Sequence, residues 1–209
     1  MKIRFILGVV IMTSVMAVSA QKVGFKVGYV SSTEVTDASS VVFPNLVSGF
    51  QVGPVAESSL LKNLDIHYGV LYTMLTKNFD GAVGKNNYTG HFVDVPLQAQ
   101  YSFPLGGALK VFAFAGPDFS FSLGQKTVNT TIVFGNEVKT EFIRHDYDAN
   151  NDKVKDISRF DVKFGLGAGA QYNNIQLRVG YDWGLLDLNT LDNYHLTKNQ
   201  LTASVVYQF

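Results

Sequence analysis

The densest set of oxygen ligands in this 209-residue chain lies in one acidic stretch, where Asp146, Asp148, Asn150 and Asp152 fall at alternate positions and Asn151 and Asp156 lie close by. Hard cations such as calcium are held by several oxygens that a loop can supply from alternate positions. The spacing departs from the helix–loop–helix calcium pattern. The sixth position from Asp146 is Asn151 where glycine is usual, and the twelfth is Ile157 where glutamate is usual. Asparagine tolerates the left-handed backbone, so the turn is allowed. A solvated acidic loop remains the simpler reading of so partial a match.

The four histidines, His67, His91, His145 and His195, show no His-x-x-x-His spacing of the kind that holds zinc. His145 adjoins Asp146, and His195 follows Asp192 by three residues. Such pairs could serve acid–base chemistry at a rim, but no serine completes a triad, which geometry alone identifies. There is no cysteine, which excludes disulfides, thiolate metal sites, cysteine nucleophiles and lipoprotein anchoring. The run Gly165-Leu-Gly-Ala-Gly169 resembles a nucleotide loop, yet it sits inside an alternating run with no helix after it. Asn87-Tyr88-Thr89 and Asn129-Thr130-Thr131 match the N-glycosylation pattern and carry no weight in the bacterial host expected below. The chemistry therefore points to a protein that is not an enzyme and needs no cofactor.

The elements that position these residues follow from patterning. The formal net charge is zero, which gives no reason to expect nucleic acid as a partner. Charged residues make up 16% and hydrophobic residues 46%, too apolar for a disordered chain. Lys2 and Arg4, the apolar run Phe5 to Val18 and the small residues Val18-Ser19-Ala20 have the layout of a secretory signal peptide. Residues 1–20 are thus expected to be removed, leaving Gln21 first and 21–209 as one domain. No other apolar run is long enough for a spanning helix.

The rest alternates with period two, the mark of strands. Ile175, Leu177, Val179, Tyr181, Trp183 and Leu185 share one face, and Gln176, Arg178, Gly180, Asp182 and Gly184 the other. Leu201 to Phe209, Phe160 to Tyr172, Val93 to Ser102, Leu64 to Leu75 and Val23 to Tyr29 repeat the pattern. Leu109 to Leu123 follows more loosely, with Phe112 and Phe114 on the polar face, and Val47 to Glu57 is the weakest, its facing open. Short connections (58–63, 104–107, 173–174) alternate with long ones (31–46, 78–89, 124–158, 187–198). Outer-membrane barrels have short periplasmic turns and long external loops. Only helices and closed barrels span lipid, because every backbone group must be paired. The expectation is an all-β, eight-stranded antiparallel up-and-down transmembrane barrel in a Gram-negative outer membrane, with aromatic residues near strand ends as interface girdles.

The polar face then lines the interior. Its charges are Lys26, Asp65, Lys77, Asp94, Lys110, Asp118, Asp161, Lys163, Arg178 and Asp182, both signs mixed. An eight-stranded interior is just wide enough for side chains to fill it, so the charges should pair and plug the lumen. The inward Gly165, Gly167 and Gly169 leave space for Phe112, Phe114 or long basic side chains.

Several segments carry a family likeness. Lys22-Val-Gly-Phe-Lys-Val-Gly-Tyr29, Phe92-Val-Asp-Val-Pro-Leu-Gln-Ala-Gln-Tyr101, Ala113-Phe-Ala-Gly-Pro117 and Phe164-Gly-Leu-Gly-Ala-Gly169 resemble the first, fourth, fifth and sixth strands of the outer-membrane β-barrel domain family abundant in Bacteroidota, which includes PorT-like proteins. The final Tyr207-Gln-Phe209 resembles the aromatic-x-Phe terminus that outer-membrane insertion machinery reads. The resemblance implies a barrel of this kind, with lipid and, during biogenesis, that machinery as partners, and does not by itself imply one activity. The leading functional expectation is a structural or interaction barrel whose external loops meet protein partners. The alternatives are an accessory component of a secretion system, a narrow pore, and a soluble lipocalin-like carrier with its apolar face inward. Extraction separates the last, since a carrier stays soluble and a barrel needs detergent.

Overall fold

The computed structural model describes residues 21–37, 45–81, 84–133, 136–143, 157–189 and 195–209. The expected signal peptide and the acidic stretch with Asp146, Asp148, Asn150 and Asp152 lie outside these described residues.

Ten strands form one antiparallel sheet. They are β1 (Gln21–Asp37), β2 (Asn45–Leu61), β3 (Leu64–Gly69), β4 (Leu71–Gly81), β5 (Gly84–Gly106), β6 (Leu109–Val133), β7 (Asn136–Ile143), β8 (Phe160–Tyr172), β9 (Ile175–Gly184) and β10 (His195–Gln208). β3 and β4 are one stave broken at Val70, both pairing with β2 and β5. β7 pairs with the outer half of β6, where β8 has ended. The remaining pairings run around a ring, and β1 closes on β10 from Gly24↔Gln208 to Asp37↔His195. The barrel thus has eight staves, and closure leaves no edge within it, which lipid requires.

The turns at one end are tight. Asn63 (φ 67°) and Asn173 (φ 51°) take the left-handed conformation, and Gly106 and Gly107 do the same in the β5–β6 turn. Asparagine and glycine are the residues that accept this geometry in two-residue hairpins.

The alternation sorts side chains outward and inward. Val23, Phe25, Val27 and Tyr29 on β1, Ile175, Leu177, Val179 and Trp183 on β9, and Leu201, Val205 and Tyr207 on β10 face out and are exposed. Lys26, Gln176, Arg178, Asp182, Gln200 and Gln208 on the same strands are buried. Burying charge while exposing leucine and phenylalanine inverts the order of a water-soluble protein and suits a protein solvated by lipid. Phe25, Tyr101, Phe103, Tyr172, Tyr207 and Phe209 ring the tight-turn end, and Tyr29, Phe50, Phe121, Phe160 and Trp183 the other.

The long connections are corrected in part. Residues 78–81, 84–89, 124–133 and 136–143 are strand, not loop: β4 and β5 extend to Gly81 and Gly84, and β6 pairs with β7 from Val133↔Asn136 to Lys126↔Ile143. β1 and β2 likewise run on to Asp37 and Asn45. Beyond the apolar belt neither face has to be apolar, so these strands carry Asn, Thr and Lys on both sides and lose the alternation.

Candidate functional site: the filled lumen and the rim

In the interior Lys163 has no solvent exposure, and its Nζ lies 3.7 Å from Asp94 Oδ1 and 3.5 Å from Asp118 Oδ2. It also donates to Gln200 Oε1 at 3.1 Å. Asp94 is fixed by donors from three strands: Gln51 Nε2 at 3.1 Å, Thr73 Oγ1 and Ser120 Oγ. A buried ion pair overcomes its desolvation cost only when the remaining lone pairs and protons find partners as well. Asp94 meets that condition. Asp118 Oδ1, Gln200 Nε2, both carboxylate oxygens of Asp161 and both ring nitrogens of His67 are buried without a hydrogen bond among the described residues.

Toward the tight-turn end the chemistry changes to glutamine. Glu57 Oε2 accepts from Gln100 at 3.3 Å, Gln176 at 2.9 Å and Gln208 at 3.0 Å. Gln100 and Gln176 present their oxygens to Arg178 Nη1, while Gln98 accepts from Arg178 Nη2 at 3.0 Å. The amides therefore link cation and carboxylate, and each amide has one orientation that serves both. Gln171 joins the ring through Gln208 and Gln176, at 3.0 Å each.

Arg178 also lies over Phe114, 4.2 Å from the ring centroid, and near Phe112 at 5.1 Å. Cation–π attraction strengthens where water is absent. The rings occupy space left by glycine: a Cβ on Gly167 would meet Phe114 Cζ at 2.2 Å, and one on Gly169 would meet Phe112 Cζ at 2.4 Å.

Apolar layers cross the interior too. Val55, Leu71 and Val206 form one cluster. Val30, Leu75 and Phe92 form another, flanked by Val47 and Tyr88. Lys198 Nζ lies 3.5 Å from the Phe92 ring centroid. A cavity of about 10 Å³ lies beside Lys26, Asp118, Arg178, Asp182 and Gln200, which is room for one water. A second, of about 20 Å³, lies at the mouth between Phe92, Asp161, Leu188, Leu196 and Lys198.

Residues 185–189, which follow β9, lie at the mouth. Leu188 donates its N–H to Leu196 O, and Ser158 donates to Leu188 O, each at 2.8 Å. Asp187 Oδ1 accepts the N–H groups of Leu196 and Asn189, both at 2.9 Å, and Oδ2 meets His195 Nδ1. The Leu196 amide first, then His195 and the Asn189 amide, hold the Asp187 carboxyl below its ordinary value. A depressed folded pKa gives stability that is present above the unfolded value and lost as pH falls through the folded one. Amide exchange at Leu196 and Asn189, corrected for intrinsic rate, is therefore expected to stay flat from neutral to mildly acidic pH. It should accelerate only below the ordinary carboxylate range. Acceleration already near neutrality would contradict this latch.

Of the charges read from the sequence, Lys26, Asp94, Asp118, Asp161, Lys163, Arg178 and Asp182 are buried in the interior. Asp65 is buried apart from them, where Ser59 Oγ donates to it at 2.6 Å. Lys110 keeps the inward register and is half-buried beside the β5–β6 turn. Lys77 is half-buried near the outer end of β4. Tyr207 and Phe209 pack edge to face on the outside of β10, 5.4 Å between centroids. Sequence reasoning missed Glu57, Phe92 and Lys198. Glu57 shares the parity of Gln51 and Gly53, the one signal that could have placed it inside.

At the opposite end from the tight turns, β4, β5, β6 and β7 continue past the apolar belt as a four-stranded ribbon. Glu137, Val138, Lys139, Thr140 and Glu141 of β7 are exposed.

A family model matches most of the chain. The sequence model of the family described as outer membrane protein beta-barrel domain matches residues 19–189. Among solved structures, the chain is similar to Ail, the attachment invasion locus protein of Yersinia pestis, at 14% identity and TM-score 0.41, covering 91% of this chain and 99% of that one. It is similar also to a major outer membrane protein of Thermus thermophilus, at 15% identity and TM-score 0.42, covering 90% and 99%. A third is OprG of Pseudomonas aeruginosa, at 13% identity and TM-score 0.38, covering 91% and 96%. No curated protein matches the sequence.

Proposed function

The chain belongs to the outer membrane protein beta-barrel domain family and resides in the outer membrane, and on that premise we propose that it is a closed, non-enzymatic barrel that acts at its extracellular rim by binding other macromolecules. The observation that supports this reading is the set of buried side chains that occupies the interior. Buried glutamine, ion-pair and apolar side chains are stacked between the tight turns and the mouth, and the cavity beside Arg178 has room for a single water. On this reading the lumen carries no transport, and the surface that supports function is the β4–β7 ribbon. Residues 1–20 serve as the signal peptide in this reading, and 21–209 as the barrel domain.

Planar-bilayer conductance of the refolded protein tests the proposal. A silent bilayer, with folding verified by heat-modifiable gel mobility, is the expected result. Reproducible discrete channels would overturn the filled-lumen reading and put transport first. The PorT-like resemblance of the strand motifs favours one particular partner, a secretion apparatus. Co-purification of such components in mild detergent is the result expected of that finer reading.

A further inference from the structure

The rim ribbon ends in an edge strand. β7 stands last in the strand order and pairs with β6 from Lys126↔Ile143 to Val133↔Asn136. β8 leaves β6 at Phe121, so among the described residues β6 is the one strand paired with β7. An edge strand presents a row of N–H and C=O groups that another strand can take up. Side chains alternate along it. Glu137, Lys139, Glu141 and Ile143 share the face of Lys126, and Val138, Thr140 and Phe142 share the other. All seven are exposed.

The order of these residues is self-complementary. Turned about a two-fold axis at Thr140, a second β7 meets the first antiparallel with matching faces. Lys139 of each copy then stands opposite the other's Glu141, and Val138 opposite the other's Phe142. Glu141 gives Oε1 to Lys126, which leaves Oε2 for the incoming lysine. Lys139 makes a loose approach to Glu137 of its own strand, at 4.0 Å. Other registers fit less well. An axis at Lys139 sets lysine against lysine and Glu137 against Glu141. An axis at Glu141 sets glutamate against glutamate. An axis at Val138 pairs Glu137 with Lys139 but engages only the first half of the strand. A parallel pair between like edges turns one copy over, so Lys139 and Glu141 fall beside Val138, Thr140 or Phe142 and neither meets an opposite charge.

We propose that β7 pairs antiparallel with β7 of a second copy of this chain on a facing membrane. Strand direction selects the facing copy. Barrels in one membrane share an orientation, and the ribbon prolongs the staves of its barrel, so their β7 strands run the same way. A copy in an opposed membrane brings its β7 in reverse. The inference rests on the reading of the rim as a binding surface and names the partner. Exposed ion pairs are individually weak, but many copies on two apposed surfaces act together.

The test uses the full chain refolded into phosphatidylcholine vesicles, rim outward as checked by trypsin access. Vesicles of two dye colours are mixed and scored for two-colour clusters. Wild-type vesicles are expected to cluster with one another and to ignore protein-free vesicles. Lys139→Glu vesicles and Glu141→Lys vesicles should each cluster about tenfold less, because like charges then face one another across the two-fold. Mixed together, the two variants should cluster like wild type, since both facing pairs regain opposite signs. Gel mobility verifies the folding of each. Wild-type vesicles that stay apart, clustering that survives both single changes, or variants that stay apart when mixed would overturn the proposal. So would equal capture of protein-free vesicles, which would make lipid the partner. These outcomes are distinct from channel conductance, which is what overturns the filled-lumen reading.

Discussion

Lys163→Met is expected to destabilise the barrel by about 3–5 kcal/mol, the range found when one partner of a buried ion pair is removed. The magnitude follows from what is left behind. Lys163 is wholly buried, and its Nζ lies within 4 Å of both Asp94 and Asp118. Methionine fills much of the volume, so packing loss is small and the stranded carboxylates dominate. Asp94 keeps its donors from Gln51, Thr73 and Ser120. Asp118 has one oxygen already without a hydrogen bond and suffers most. Urea unfolding in lipid–detergent micelles, followed by gel mobility, measures the loss. Lys163→Met/Asp118→Asn should then cost less than the two single changes added together, because neutralising Asp118 removes part of the penalty that the loss of the lysine leaves. Strict additivity would show that the two side chains do not interact.

Gly167→Ala should be nearly as damaging, at about 3 kcal/mol, the upper part of the range for overpacking a tight interior. The added Cβ would lie 2.2 Å from Phe114 Cζ and 2.4 Å from the Val179 carbonyl oxygen. The ring could move, at the cost of its place beneath Arg178. The carbonyl belongs to the β8–β9 ladder and can shift only by distorting it. Trimming the ring with Phe114→Leu should therefore rescue the alanine variant in part, not wholly. Complete rescue would assign the clash to the ring alone. A Gly167→Ala barrel of wild-type stability would contradict the packing described here.

What could be read in advance depended on the solvent each face meets. Along Ile175–Gly184 lipid asks for apolar residues outside and the narrow interior asks for polar or small ones inside, so sequence parity alone gives the facing. The same two demands mark Phe160–Tyr172 and the end of β10. They stop at the belt. Lys85 to Thr89 and Lys126 to Thr131 stand in water on the outside, lose the apolar partner of each polar residue, and look like loop while forming ladder. Phe92 shares the parity and burial of Asp94, but an apolar residue on the polar face looks like the end of the alternation, and a parity count that begins at Val93 leaves it out. Glu57 was obscured by the consecutive burial of Val55 and Ala56. Its glutamine partners read plainly as polar-face residues. Their common target did not, since Gln176 and Gln208 reach Glu57 from 119 and 151 residues away, a distance that only barrel closure spans.

The central claim is an inside-out barrel, with apolar residues against lipid and a filled polar interior. The absence of native cysteine makes single-cysteine scanning of β10 direct. Variants Leu201→Cys through Val205→Cys are refolded into vesicles and treated with a nitroxide reagent. The account predicts labels at positions 201, 203 and 205 that collide with oxygen and are shielded from a water-soluble nickel complex, while cysteines at 202 and 204 resist labelling in the folded protein. Labels that attach at 202 and 204 and meet nickel would show a water-filled lumen, and labels at 201, 203 and 205 that meet nickel would remove the lipid belt.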